Sequence, residues 1–412
     1  MPNVCKGAAR RAKCARTGDH GYTVRTAEKG VALIEDYLPS PEPIQLIDPT
    51  GTAVSPSIEE PPARGYAMPA DEDLVEVWRR MVIARRLDRQ ATTLTKQGHL
   101  AVYPSAHGQD ACQIAPVYAM RDDDWLFPTY RDSMAMFSRG IDPVEVLTLL
   151  RGDWHCGYDP RQQRTAPACT PLATQAVHAV GAAYGMARRA TRDQPAAGGG
   201  HSGGATVCFV GDGATSEGDF HEALNFAAVF KAPVVFFVQN NGFAISVPLD
   251  KQSKAPALAY KGIGYGIRSD QVDGNDAAAV LSVTSVALDH ARAGRGPVLI
   301  EGHTYRMQAH TNADDDSRYR DAALTQAWQA KDPIARLQTY LTGRGALTPA
   351  DIEATQAHAE AQAQDLRRRL SSEDAPTKDV AALFKHVYAE PTPHLQDQLA
   401  MAAEQSASSE WP

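Results

Sequence analysis

Three short runs are apolar at all positions but Thr206: Ala205–Val210, Val234–Val238 and Val298–Ile300. A strand with one solvated face alternates apolar and polar residues. A strand buried on both faces reads as a continuous run, and such strands belong to parallel sheets. Between the first two runs, Phe220, Leu224, Ala227 and Ala228 fall on one side of a predicted helix, Glu217–Phe230. A second helix is predicted from Asp276 to His290, ahead of the third run. Strand–helix–strand–helix–strand predicts an α/β fold, a doubly wound, mostly parallel sheet.

Upstream, Leu74, Trp78, Met81 and Val82 form the apolar stripe of a helix opened by Ala70-Asp71-Glu72-Asp73, whose acidic first turn suits the helix dipole. Downstream of residue 330 the pattern turns helical. Thr348-Pro349-Ala350-Asp351 is a capping sequence for a long helix to about Leu370, and Val380–Tyr388 predicts another. Residues 1–70 are rich in Pro, Gly and charge and read as an extended arm. The Gly-rich stretch Gln194–Gly204 reads as a flexible surface connection. The expected division is an arm (1–70), an α/β domain (71–330) and a helical C-terminal segment (331–412).

Composition narrows the function classes. The 412 residues are 43% hydrophobic with net charge −8, so no basic surface for nucleic acid is expected. Six cysteines are scattered with no Cys-x-x-Cys pair, which reads as reduced thiols in a cytoplasmic protein. The N-terminus is basic but lacks a following apolar run, so it is not a secretory signal. A disordered bacterial arm is preferred there to a transit peptide. No stretch of 18 apolar residues exists, so no membrane span is expected.

The first apolar run leads straight into Gly211-Asp212-Gly213. Ligands of open α/β sheets bind beyond the carboxyl ends of strands. The glycines let backbone approach a phosphate, and Asp212 offers a hard oxygen to Mg²⁺. The N-terminus of the following helix favours a diphosphate. The second run ends in Gln239-Asn240-Asn241-Gly242-Phe243, where Asn241 offers an amide oxygen and Phe243 a backbone carbonyl to the same ion. Gly-Asp-Gly alone is usually a surface turn and Asn-Asn a helix cap. Their occurrence straight after two buried strands favours the metal-diphosphate reading.

Gly211-Asp212-Gly213 … Asn240-Asn241 resembles the signature of thiamine-diphosphate enzymes. Tyr130-Arg131-Asp132, Pro171-Leu172-Ala173-Thr174-Gln175, Val272-Asp273-Gly274-Asn275-Asp276 and Thr304-Tyr305-Arg306 … Tyr319-Arg320 resemble alpha subunits of 2-oxo acid dehydrogenases. Lys331-Asp332-Pro333-Ile334 extends a likeness that covers about residues 75–345. Pro171–Gln175, His310, Ile47-Asp48-Pro49-Thr50-Gly51 and the tail around Tyr388–Gln396 favour the branched-chain type.

The resemblance implies oxidative decarboxylation of 2-oxo acids such as 2-oxoisovalerate, with reductive acylation of a lipoyl group on an acyltransferase core. It implies thiamine diphosphate and Mg²⁺, the metal held by Asp212, Asn241 and Phe243. Cofactor-binding positions are then Tyr130, Arg131, Thr170, Leu172, Gly211, Asp212, Gly213, Ala214, Glu217, Asn241 and His310. Tyr130 and Arg131 would meet the diphosphate. Thr170 and Leu172 would hold the aminopyrimidine. Cys169, Pro171, Thr174 and Gln175 match a region where some relatives bind a monovalent cation. His310 matches an active-site histidine with an expected near-neutral pKa, and Arg306 would hold its loop or a phosphate oxygen. A glutamate absent from this chain would come from a beta subunit in an α₂β₂ heterotetramer. Two positions depart from the pattern: Gln239 stands where several relatives have arginine, and Thr311 where mitochondrial relatives have a phosphorylatable serine. The alternatives are a pyruvate or acetoin enzyme, a transketolase-like enzyme, a non-catalytic paralogue and another Mg²⁺-nucleotide binder. The last lacks a Walker-type sequence.

Overall fold

The computed structural model describes residues 37–54, 64–153, 155–193, 203–371, 380–385 and 387–407. Most of the expected arm (1–36 and 55–63) and most of the Gly-rich connection (194–202) lie outside these residues. Among the described residues the strands are β1 (Trp125–Phe127), β2 (Thr206–Gly211), β3 (Val234–Asn240), β4 (Phe243–Ala244), β5 (Val247–Pro248), β6 (Arg268–Asp273) and β7 (Val298–His303). One parallel sheet has the order β1-β2-β3-β7-β6, and β4 and β5 form a separate antiparallel pair.

The continuous apolar runs are explained by two covered faces. Val207, Phe209, Val235, Phe237, Val298 and Ile300 pack into one core with helices Asp71–Lys96, Asp110–Tyr118 and Ala277–Arg292. Their neighbours Cys208, Val210, Val234, Phe236, Val238 and Leu299 pack on the other face against helices Thr174–Asp193 and Gly218–Phe230. This is the α/β, doubly wound parallel arrangement expected.

β3 and β7 run longer than their apolar runs, β2 is shifted by one residue, and β1, β4, β5 and β6 were not anticipated. β1 has three residues. β6 has the sequence RSDQVD, whose polar residues are buried. Its buried polar side chains find partners in residues before the first helix: Asp270 pairs with Arg64, and Gln271 donates to the Ser40 carbonyl (2.6 Å). A strand neutralised this way carries no hydrophobic signal.

Residues 37–54 lie along this edge of the sheet. Ile44 bridges Val272 in parallel, and the Asp276 carboxylate accepts the Leu46 and Ile47 N–H groups (both 2.7 Å). The Thr348–Asp351 cap forms reciprocally: the Asp351 N–H donates to Thr348 Oγ1 (3.2 Å), and the Thr348 N–H to Asp351 Oδ2 (3.0 Å). Helix Pro349–Ser371 packs Ala363, Leu366 and Leu370 against Leu87, Ala91 and Leu94. The predicted helix Val380–Tyr388 is shorter, Val380–Phe384, and a further helix, Pro393–Ala407, follows. Val82 is only half-buried, unlike the rest of its stripe. Among the described residues no helix is long and apolar enough to cross a membrane.

Candidate active site

Parallel register sets the site. Gly211 lies beside Gln239, and Gln239 beside Gly302, so β2, β3 and β7 end level with one another. The residues that follow each strand share one edge, about 5 Å apart from strand to strand. A cavity of about 240 Å³ opens there. Tyr130, Arg131, Leu172, Gly211, Asp212, Gly213, Ala214, Glu217, Asn241, Phe243, Arg306 and His310 all line it. Thr170 is exposed and is not part of the lining. Of the four residues matched to a monovalent-cation region, Cys169 and Gln175 line the cavity.

Helix Gly218–Phe230 does not follow β2 directly. A 3₁₀ turn, Gly213–Ser216, stands between them and supplies Gly213 and Ala214 to the wall. Gly213 is required by close approach: a Cβ there would lie 2.6 Å from the Ala244 Cβ. At Gly211 a Cβ would meet nothing, so the backbone faces open space.

On the strand-end side, Asp212 is 2% exposed. Its Oδ2 accepts from Gln252 Nε2 at 3.2 Å, and it forms no ion pair among the described residues. Burial pushes its pKa up to about 6, against the Gln252 hydrogen bond and the charge of Arg306. A buried carboxylate in that condition fits a cation. Asn241 Oδ1 accepts the Phe243 N–H (3.2 Å), and its Nδ2 donates to Gln109 Oε1 (3.1 Å). No group of three His, Cys, Asp or Glu residues suits a metal among the described residues. One carboxylate with amide and backbone oxygens is a donor set for a hard ion such as Mg²⁺, not for zinc.

The loop side is cationic. Arg131 Nη2 contacts His310 Nδ1 at 2.9 Å and donates to the His310 carbonyl at 3.0 Å, while Nη1 donates to the Ser105 carbonyl at 2.9 Å. Arg306 Nη1 contacts the same His310 Nδ1 at 3.2 Å. Its Nη2 donates to the carbonyl of Ile245 and to Tyr319 Oη, both at 3.0 Å. Guanidinium groups only donate, so Nδ1 accepts and the imidazole proton sits on Nε2. Burial, then Arg131 and Arg306, push the His310 pKa down to about 4, with Asp314 opposing. The expected near-neutral histidine is therefore corrected: two neighbouring guanidiniums hold it neutral. Asp314 Oδ2 accepts the His310 N–H (2.7 Å), and the Tyr130 ring stands edge-on to the imidazole at 6.1 Å.

Gln109, Thr129, Ala244 and Ile245 also line the cavity and had no signal in the sequence. They arrive by tertiary approach, from a helix start and a turn that carry no motif. Ile245 has φ +57, a left-handed conformation rare for a β-branched residue. Gln239 does not replace the missing arginine. Its Nε2 bonds Asp132, and its Oε1 accepts from Gln109 Nε2 at 2.8 Å.

The family pattern described as Dehydrogenase E1 component matches residues 78–379. A "3-methyl-2-oxobutanoate dehydrogenase subunit alpha" of Mycobacterium tuberculosis is 44% identical over 357 residues, 87% of this chain and 92% of that protein. A "Pyruvate dehydrogenase E1 component subunit alpha" of Staphylococcus aureus is 36% identical over 318 residues, 76% of this chain and 80% of that protein.

Proposed function

The chain belongs to the dehydrogenase E1 component family, and from that premise we propose that it is the alpha subunit of a branched-chain 2-oxo acid dehydrogenase. Its reaction is oxidative decarboxylation of 2-oxoisovalerate and related acids, with transfer of the acyl group to lipoyl on an acyltransferase core. The observation that carries the reading is one cavity with two unlike sides. A buried carboxylate without an ion-pair partner faces it from the strand ends, and a guanidinium pair faces it from the loop. A magnesium diphosphate complements both.

Thiamine diphosphate, when bound, supplies the electron sink for loss of CO₂. Asp212 Oδ, Asn241 Oδ1 and the Phe243 carbonyl are the residues that would hold Mg²⁺ on its diphosphate. Tyr130 and Arg131 would meet phosphate oxygens, the guanidinium as a planar multi-donor group and the phenol through its single O–H. Leu172, 44% exposed on the wall, offers apolar contact to the ring system. His310, neutral with its proton on Nε2, can donate at the cavity while Nδ1 is held. Gln175 Oε1 is buried with no hydrogen-bond partner, while its Nε2 donates to the Phe209 carbonyl at 2.8 Å. That orphaned oxygen supports a monovalent cation beside Cys169.

A beta subunit completes the site in this reading. Among the described residues there is one five-stranded sheet of this type, whereas the chemistry needs a second module for the aminopyrimidine. Ile245, Val247, Phe226, Val229 and Phe230 are large, apolar and exposed, which suits a face covered by another subunit. The 44% relative and the Pro171–Gln175 sequence support the branched-chain substrate.

The test is co-purification with a beta partner, followed by thiamine-diphosphate titration and assays on 2-oxo acids. The expected result is kcat/KM for 2-oxoisovalerate at least about tenfold above pyruvate, since each methylene-sized group is worth roughly 1–3 kcal/mol. A preference for pyruvate would favour the reading suggested by the Staphylococcus aureus relative. Turnover by the chain alone would remove the beta requirement.

A further inference from the structure

We infer that a relay of four buried side chains, Asp132, Gln239, Gln109 and Asn241, acts together with the Phe243 N–H to hold the oxygen of Asn241 toward the metal, and that Gln239 and Gln109 are therefore positioning residues for Mg²⁺. The inference rests on the functional reading above, in which Asn241 is a magnesium ligand.

An asparagine binds a cation only through its oxygen, yet its oxygen and nitrogen ends have the same shape. Something must fix the rotation. Here each link has one donor and one acceptor. Asn241 Nδ2 donates to Gln109 Oε1 (3.1 Å), Gln109 Nε2 to Gln239 Oε1 (2.8 Å), and Gln239 Nε2 to Asp132 Oδ1 (2.6 Å). All four side chains are buried, so solvent does not compete for these groups.

Backbone groups, whose roles are invariant, pin the relay at three places. The Thr129 N–H, which only donates, occupies Asp132 Oδ2 at 2.6 Å. The Arg131 carbonyl, which only accepts, fixes the amide end of Gln113 at 3.2 Å. That same Gln113 Nε2 donates to Asp132 Oδ1 (2.9 Å) and to Gln239 Oε1 (3.3 Å), which sets Gln239 independently. At the far end the Phe243 N–H takes Asn241 Oδ1 (3.2 Å). Direction therefore passes from Asp132 to Asn241 without a break. An arginine at 239 could not transmit it, because a guanidinium has no acceptor to receive Gln109.

The relay predicts a rescue that mere packing does not. Asp132→Asn places an amide nitrogen among the donors around it, against either Thr129 N–H or the Gln239 and Gln113 amides. Turning Gln239 to relieve this reverses every later link and presents Asn241 nitrogen to the metal. Adding Gln239→Glu restores the order along the relay: one carboxylate oxygen accepts from Asn at 132 and the other from Gln109 and Gln113, while the contact of Gln113 Nε2 with position 132 stays donor against donor in the single and the double variant alike. The net charge is unchanged.

The experiment uses the chain assembled with its beta partner and titrates Mg²⁺ calorimetrically in the presence of thiamine diphosphate. Asp132→Asn should raise the Mg²⁺ Kd about tenfold or more, the usual scale for residues that orient a metal ligand. Its kcat should recover at saturating Mg²⁺. Asp132→Asn/Gln239→Glu should bind Mg²⁺ measurably tighter than Asp132→Asn, recovering about threefold or more of the loss, and Gln109→Met should behave like the single variant. A double variant no tighter than Asp132→Asn, or an unchanged Kd in Gln109→Met, overturns the relay. If Asp132→Asn does not assemble, Gln109→Met decides alone. A parent complex that binds no cofactor overturns the functional reading itself, whereas a parent that binds beside unchanged variants overturns only the relay.

Discussion

The two sides of the cavity are both buried, yet burial drives their ionisable groups in opposite directions. On the strand-end side Asp212 is pushed up to about 6, because desolvation has no paired cation to offset it. On the loop side His310 is pushed down to about 4, where desolvation is reinforced by Arg131 and Arg306. One side is short of positive charge and the other carries positive charge close together. Asp212 is a poor structural solution alone, since exchange for a neutral group would relieve the folded chain, and the loop side escapes a like penalty only because His310 stays neutral. Opposed deficits across one cavity mark a site shaped for a ligand bearing both signs. Variants that remove one deficit at a time break the comparison.

The largest effect is expected at Asp212. Asp212→Asn should weaken Mg²⁺-dependent thiamine-diphosphate binding by about 100-fold or more, through loss of the one anionic metal ligand. The same change should stabilise the cofactor-free chain. The folded pKa of about 6 exceeds the ordinary value of 3.8. The protonated form therefore contributes stability that is complete below about 4 and is lost as pH rises through about 6. At pH 7 the ionised parent carries a penalty on the order of 3 kcal/mol that Asn avoids. Melting curves of both proteins at pH 4.5 and 7 measure it. A variant that binds cofactor as the parent does would remove the metal assignment, and equal melting behaviour at both pH values would remove the electrostatic one.

The loop side should respond in the chemistry first. His310→Ala should lower acyl transfer to lipoyl by about 10²-fold, the lower end for a positioned proton donor, and harm decarboxylation with an artificial electron acceptor less. Equal loss in both assays would place His310 in the first step instead. A smaller effect follows from Arg131→Gln. Loss of the nearer guanidinium should raise the His310 pKa, though not to the ordinary 6.5, because burial and Arg306 remain. Titration by NMR of the ring protons tests this, and an unmoved pKa would show that burial acts alone.

These two sides were unequally legible. Gly211, Asp212, Asn241 and Phe243 could be brought together from sequence because they end or closely follow two buried strands, and parallel register brings strand ends together. The helices flanking those strands were legible for the same reason. β6 was not, because Asp270 and Gln271 are buried against the arm and read as polar loop. On the loop side the residue types of Arg131, Arg306 and His310 came from resemblance, but their convergence on one nitrogen did not, since 175 residues separate Arg131 from Arg306. The neutral state of His310 is a property of that convergence. Gln109 is the clearest omission: nothing local distinguishes it, and its role exists only through Asn241 and Gln239.

The smallest expected effect concerns the seam where the two sides meet. Arg306 reaches across from the loop to the Ile245 carbonyl, in the turn just after the metal-site residues. Ile245 is 56% exposed and has φ +57. A left-handed conformation costs an ordinary L-residue about 1–2 kcal/mol, and little burial is gained in return. Asparagine tolerates that conformation through its short polar side chain, without the added chain entropy of glycine. Ile245→Asn should therefore stabilise the cofactor-free chain by about 1 kcal/mol, a rise of roughly 1–3 °C in Tm for a chain of this size. Cofactor affinity of the assembled complex should not improve, because the apolar side chain lines the cavity and stands on a face suited to another subunit. The pair of measurements discriminates between causes. A higher Tm with weaker assembly means that the strain holds a functional side chain in place. A lower Tm means that Ile245 makes packing contacts that outweigh its backbone cost.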